Sequence, residues 1–544
     1  MIKKIVIFLS LVSFGVASVL SYEELKTKPK SLAKDYYIYR LMTEGNVNDK
    51  ELKSLRSGVF RDRGKLKTAL DKRIGSRTFY DKCKGVNAKN ILDANLTCKL
   101  NRLGGVKFVS RLSPAVRNSL ASELSSYPDV VNLLNGINSE NPAKYFANTK
   151  NVKNFFSYFK SLDEKNRANK FNFALSPEFG AMLGSDSYFK TFITDAVVNQ
   201  NLVTLRKSLI DINPANFDSQ SSFYLGINAI KFKQDDKSVK FFNQAINSAK
   251  TSQDSDKANL WIYLVTSSEE ALLKAANSKD LNMYSLYAKE LTGNTNLNIV
   301  IPKPTKNSVA GYDEKSPFDW VNLKAKVKNT PKESLNELAT KFDTKKTQGE
   351  YIYIKNIADG YPDNFYPTPF MEHIGTSDKQ RQALILAIAR QESRFIQSAI
   401  SISYALGMMQ FMPFVANDWA SKHDFGNFDQ DDVFKPEVAY KMANIHLDWL
   451  ERYLYNPVFI AYAYNGGIGF TKRMITQRPL FKDGKYEPFL SMELVHYAES
   501  REYAKRVLAN YVVYSSILNP SANISIIELI NNLTNPAKTD SYRK

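Results

Sequence analysis

Of all residues in this 544-residue chain, Glu392 has the setting that most invites chemistry. Ile385, Ile388, Glu392 and Phe395 recur at intervals of three and four, which puts them on one face of a helix. A carboxylate on an apolar stripe is costly unless hydrogen bonds or a task offset the cost. A free Glu titrates near pH 4.3, so only about 0.2% is protonated at neutral pH. Burial beside apolar groups raises that fraction, and a carboxyl kept protonated can pass its proton to a leaving oxygen. The competing reading is structural: a helix-end Glu bonded to backbone or to Arg394. Ser377-Asp378-Lys379-Gln380 reads as a capping box that starts this helix, with Ser377 as N-cap and Gln380 reaching back. Helix-compatible residues then run from Ala383 to Phe395.

Further strings follow in order. Gln391-Glu392-Ser393-Arg394-Phe395 precedes Ser401, then Gly407-Met408-Met409-Gln410 and Phe411-Met412-Pro413. Ala463-Tyr464-Asn465-Gly466-Gly467 comes next, and Glu499-Ser500-Arg501 with Tyr503 closes the series. Together these strings resemble the soluble lytic transglycosylases, over roughly residues 362 to 515. The resemblance implies a goose-type lysozyme-like catalytic domain with Glu392 in the place of the catalytic acid. It implies substrate contacts at Ser401, Met408, Gln410, Met412, Tyr464, Asn465 and Glu499. Gly407 lets backbone approach a sugar closely. Gln410 offers donors and an acceptor. The methionines supply adaptable apolar contact or plain core packing. Tyr464 donates to an N-acetyl carbonyl or to Glu392, with Asn465 and Gly467 shaping the turn that presents it. Glu499 bonds a sugar hydroxyl or holds Arg501, and Tyr503 packs. The chain departs from the family pattern at Tyr404 (commonly small), Met408 (Leu), Gly466 (Ala), Ile468 (Pro) and His496-Tyr497 (Pro-Phe).

Most glycosidases use two carboxylates. Asp418, Asp424, Asp429, Asp431 and Asp432 are available, but nothing in the sequence fixes one opposite Glu392. The resemblance implies a one-acid route in which the substrate closes a 1,6-anhydro ring on itself, a lyase reaction on peptidoglycan glycan strands. The alternatives are a lysozyme-like hydrolase on the same fold and a glycan-binding scaffold without catalysis. His373, His423, His446 and His496 lack zinc-like spacing and no phosphate-cradling Gly loop occurs, so neither metal nor cofactor is expected.

The elements that must position these residues read as mainly α: an irregular α-helical superhelix (solenoid or ring), then the lysozyme-like α-helical domain. In 221–249, Tyr224, Ile227, Ile230, Phe241, Phe242 and Ile246 line the inside of a helical hairpin. Such arrays make curved surfaces. Prolines at 302, 304 and 317 mark a boundary, and those at 362, 367 and 369 another. The expected organisation is a signal peptide at 1–18, a superhelix at 19–305, a helical linker at 306–372, the catalytic domain at 373–520 and a loose tail at 521–544.

Lys3 and Lys4, an apolar run from 5 to 16 and Val16-Ala17-Ser18 read as an export signal, too short to span a bilayer. A periplasmic protein without stable membrane insertion is therefore expected, a monomer with cell-wall synthesis proteins as candidate partners. Cys83 and Cys98 are either one disulfide in that compartment or two buried thiols. Asp93-Ala94-Asn95-Leu96-Thr97 resembles an extended bacterial N-glycosylation sequon. The net charge of +19 favours polyanions such as wall peptides. Nucleic acid is not expected, since no motif for it is recognised.

Overall fold

The computed structural model describes residues 19–77, 81–360, 364–521 and 524–543, so the expected signal peptide lies outside the described residues. The fold is mainly α, with two strands of two residues each among the described residues. No described helix is long and apolar enough to cross a membrane. The described residues divide into two compact units: those within 1–78 and 300–447, and those within 79–299 and 448–544. These units cut across the expected boundaries.

In the first unit, three helices (Pro317–Asn329, Leu335–Phe342 and Gln348–Asp359) form a small core of their own. Leu323, Val327, Leu338, Phe342 and Ile354 fill it. The Leu32–Glu44 helix, expected in the superhelix, packs instead beside the segment that follows Glu392. Its buried Arg40 pairs with Asp429 at 2.5 Å and with Asp431 at 3.0 Å. Tyr36 and Tyr37 donate to the two oxygens of Asp431, at 2.9 and 2.8 Å. Burial raises the Asp431 carboxyl pKa, against the pull of Arg40 and the two hydroxyls. Breaking such a buried network by removing one partner leaves a charge uncompensated, so it ties the two segments firmly.

In the second unit, helices between 96 and 291 pack largely on their sequence neighbours, the arrangement of an α-superhelix. The expected hairpin is the pair Ser219–Lys231 and Asp235–Asn247. Tyr224, Ile227, Ile230, Phe241 and Phe242 are buried in it, and Ile246 is half-buried. A Cβ at Gly226 would lie 2.4 Å from the Phe242 ring, so only glycine allows these helices to approach so closely. Cys83 and Cys98 are a disulfide with their Cα atoms 5.3 Å apart. Asn95 is the N-cap of the next helix, its side-chain oxygen accepting from Cys98 N. In the same unit, Lys505 meets Glu493 at 2.7 Å, both fully buried, and Tyr284 donates to Glu493 at 2.6 Å.

The tail expected to be loose is folded. Ile526, Ile530 and Leu533 recur at helical spacing and are buried. Arg543 closes the end, donating to Asp540 at 2.8 Å and to the Phe481 carbonyl at 2.8 Å. Its polar composition hid three apolar residues that one face gathers.

Glu350, in the first unit, is 1% exposed and accepts from the Tyr312 hydroxyl. Burial pushes its carboxyl up to about 8, with Glu314 adding to the rise. Folded chains therefore hold this proton between roughly pH 4.5 and 8 while unfolded chains release it. The contribution to stability is intact below that window and declines as pH rises through it. Thermal unfolding of the Glu350→Gln variant should match the parent near pH 4 and exceed it near pH 8. The gap should grow by up to about 1.4 kcal/mol per pH unit.

Candidate active site

The helix carrying Glu392 runs Lys379–Glu392. Its N-cap is Asp378, not Ser377: the Asp378 carboxylate accepts from Gln380 N at 2.9 Å. A carboxylate there also meets the positive end of the helix dipole, which a serine does not. Residues Gln382–Ala389 are buried, and Glu392 is half-buried as the last helical residue. Phe395 is not on that helix, contrary to the spacing argument. Arg394 and Phe395 take left-handed φ values of 55° and 66°, which halt the helix. Phe395 is 2% exposed, so packing holds the unfavourable backbone.

Gly349 makes this stop feasible, and the sequence reading missed it. A Cβ there would lie 2.6 Å from the Arg394 carbonyl oxygen. The available signal was a lone glycine in the first turn of a helical pattern.

The loop after Glu392 is built by the residues expected to bind substrate. Ser393 Oγ donates to the Met408 carbonyl at 2.9 Å, tying the Glu392 segment to the Gly407 turn. Ser401 Oγ accepts from Ala405 N at 2.9 Å. Gln410 donates from Nε2 to the carbonyls of Gly407 and Ala399, at 2.8 and 3.2 Å. Its donors therefore serve the loop, and its Oε1 is the group it can offer a ligand. Of the two readings for the methionines, Met408 and Met409 follow core packing, at 1% and 0% exposed, so Met408 presents no surface for the substrate contact expected of it. Met412 is half-buried. Ile402 and Phe414, which the sequence reading passed over, are 62% and 70% exposed, one residue after Ser401 and two after Met412.

Tyr404 has φ 65°, which explains why a small residue suits this position. Its ring lies 5.9 Å from that of Tyr36 and 5.8 Å from that of Tyr39, with the Lys65 ammonium 4.3 Å above it. The Leu32–Glu44 helix, with Lys65, thus packs a residue that would otherwise strain the loop.

The five aspartates weighed as second carboxylates are engaged elsewhere. Asp429 and Asp431 hold Arg40, Asp418 pairs with Lys422 at 2.8 Å, and Asp432 with Lys435 at 2.7 Å. Asp424 is exposed and accepts from Gly426 N at 3.3 Å.

Tyr464, Asn465 and Glu499 belong to the second unit, where the Pro457–Gly466 and Ala498–Leu518 helices pack together. Tyr464 is half-buried on the last helical turn; the turn lies after it, at Gly467 with φ 85°. Ser500 Oγ donates to Asn465 Oδ1 at 2.6 Å, and Asn465 Nδ2 donates to Glu499 at 3.4 Å. Glu499 also accepts from the Tyr497 hydroxyl at 3.0 Å, so one departure from the family pattern gains a use. Arg501 does not hold Glu499: its Nη1 donates to the Val495 carbonyl and its Nε lies 3.7 Å from Glu502. Gly466 is explained too, since a Cβ would fall 2.6 Å from Phe470 and 2.8 Å from Ser500 Oγ. Tyr503 is 4% exposed and packs.

A family model described as the transglycosylase SLT domain matches residues 371–486. The soluble lytic murein transglycosylase of Escherichia coli K12 is 28% identical over 142 residues, 26% of this chain and 21% of that protein. A relative from Haemophilus influenzae is 31% identical over 142 residues, 26% of this chain and 23% of its own. The match thus spans less than a quarter of these relatives' length. Among solved structures, an inactive mutant of the lytic transglycosylase Slt from Pseudomonas aeruginosa has a TM-score of 0.51 at 14% identity. It covers 94% of this chain and 81% of its own. The 70-kDa soluble lytic transglycosylase in complex with bulgecin A has a TM-score of 0.52 at 13% identity, covering 90% and 87%. At such identities the likeness is one of fold: a mainly α-helical, superhelical chain.

Gly407 carries the turn between the two halves of the Glu392 loop. At φ 76° a Cβ would sit 2.4 Å from the Val433 carbonyl oxygen. Gly426 has φ 62° with nothing within 4 Å of the same position. Urea unfolding should show Gly407→Ala losing about 1–3 kcal/mol and Gly426→Ala clearly less, because only the first adds a clash to the backbone cost.

Proposed function

We propose that the chain is a periplasmic lytic transglycosylase that cuts peptidoglycan glycan strands between N-acetylmuramic acid and N-acetylglucosamine. The observation that carries this reading is Glu392: a half-buried carboxyl ending an apolar helix, while the five aspartates weighed as a second carboxylate bond to other groups. The SLT domain and the murein transglycosylases that share it support the choice of substrate.

In this reading Glu392 protonates the glycosidic oxygen and the N-acetylglucosamine leaves as an alcohol. The muramoyl N-acetyl group stabilises the developing charge at C1 from within the substrate. Glu392, now a carboxylate, takes the proton of the muramoyl 6-hydroxyl, whose oxygen bonds to C1. The acid is regenerated, a 1,6-anhydro end is formed and no water is consumed. Gln410 contributes an acceptor, Met412 apolar contact, and Ser401 the shape of the loop. Tyr464, Asn465 and Glu499 are assigned to substrate contact from their family motifs. The expected route of export is the N-terminal signal, and the chain's positive charge favours the anionic wall.

Glu392→Gln keeps the size of the side chain and removes its proton. Soluble muropeptide release from isolated sacculi should fall at least ~10²-fold, the usual scale for a general acid. Equal release by parent and variant would replace this reading with that of a glycan-binding scaffold.

A further inference from the structure

Within the first unit lies a cavity of about 700 Å³ whose wall holds none of the residues assigned to the glycan site. The volume is in the range of small-ligand sites. The wall carries both signs of charge: Lys315, Lys345 and Lys346 against Glu314, Glu372 and Glu437. The three lysines are exposed, and their backbone is anchored. Lys345 N donates to the Lys306 carbonyl at 2.8 Å, and the Lys346 carbonyl accepts from Gln397 at 2.9 Å. Two lining side chains are more than nine-tenths buried yet hold an acceptor with no donor among the described residues. They are Gln348 and Glu314, 8% and 7% exposed, each through its Oε1. Buried acceptors are normally paired, so two around one cavity mark a place for incoming N–H groups.

A ligand for this wall must donate N–H groups to the buried oxygens and offer carboxylates to the lysines. A phosphate or sulfate meets only the second demand, and a neutral sugar has no charge for the lysines. We propose that the cavity binds a short peptide with free amino and carboxylate groups. The proposal does not rest on catalysis by Glu392, since a chain without that acid keeps the whole wall. Wall peptides and fragments of ordinary proteins share this chemistry, and the configuration of their residues separates them.

The test is calorimetric titration of the full chain with the tetrapeptide Ala-Glu-Lys-Ala, free at both ends. A second titration uses the same sequence with D-Glu and a terminal D-Ala, and a third uses the N-acetylated, C-amidated form. At least one free peptide should bind, and capping should weaken it tenfold or more. A preference for the D-containing peptide assigns the site to wall peptides, and the reverse to protein fragments. Lys345→Glu combined with Lys346→Glu, both at exposed positions, should cost a further tenfold. Gln348→Met should abolish binding while raising Tm, because it removes an unpaired buried acceptor; a merely structural glutamine would lower Tm. Glu392→Gln should bind the peptide as the parent does, so loss of catalysis and loss of this site are separable. No binding of either free peptide at millimolar concentration, or unchanged affinity in the double lysine variant, overturns the proposal.

Discussion

The Lys379–Glu392 helix has to end at Glu392, and much of the first unit serves that stop. Were the helix to continue, Phe395 would extend the apolar stripe and Glu392 would be one more mid-helix residue. Instead two residues turn left-handed directly after Ser393. Each costs about 1–2 kcal/mol, and nothing local to the sequence lowers that cost. Tertiary contact does. Phe395 is buried, Gly349 lets the neighbouring helix press on the Arg394 carbonyl, and Ser393 bonds across to Met408. A carboxyl at a helix end is anchored by its backbone yet free of the next turn, which suits a group that must reach a substrate.

The same logic extends outward. The loop that follows Glu392 contains left-handed residues at Tyr404, Gly407 and Gln410. Gly407 is forced by the Val433 carbonyl, Tyr404 is packed by the Leu32–Glu44 helix, and Gln410 bonds back to its own loop. The Arg40 network then fixes that N-terminal helix to Asp429 and Asp431. Segments nearly 400 residues apart in sequence thus cooperate to hold one turn. Residues that looked like spare catalytic carboxylates turn out to be the anchors.

What the sequence made legible was local. Motif strings around Glu392, Gly407, Tyr464 and Glu499 are short and carry their own chemistry, and the hairpin at 219–247 announces itself by periodicity. The helix end at Glu392 was not legible, because apolar spacing continues past the point where tertiary contact breaks it. Asp378 outranked Ser377 as N-cap, a choice between adjacent capping residues that pattern alone does not settle. Met408 and Gln410 were placed in the right loop, but whether a side chain faces ligand or core depends on partners elsewhere. The division into two units, the buried Glu493–Lys505 pair with Tyr284, and the folded tail all depend on contacts between residues far apart in the chain. Such contacts leave no periodic trace.

The central claim is that one carboxyl acts as acid and then as base, so that the substrate closes on itself. Digestion of purified glycan strands in water enriched in ¹⁸O, followed by mass analysis of the new muramic ends, tests it most directly. The account predicts 1,6-anhydro ends free of the label. Reducing muramic ends that carry ¹⁸O at C1 would contradict it and make the protein a hydrolase.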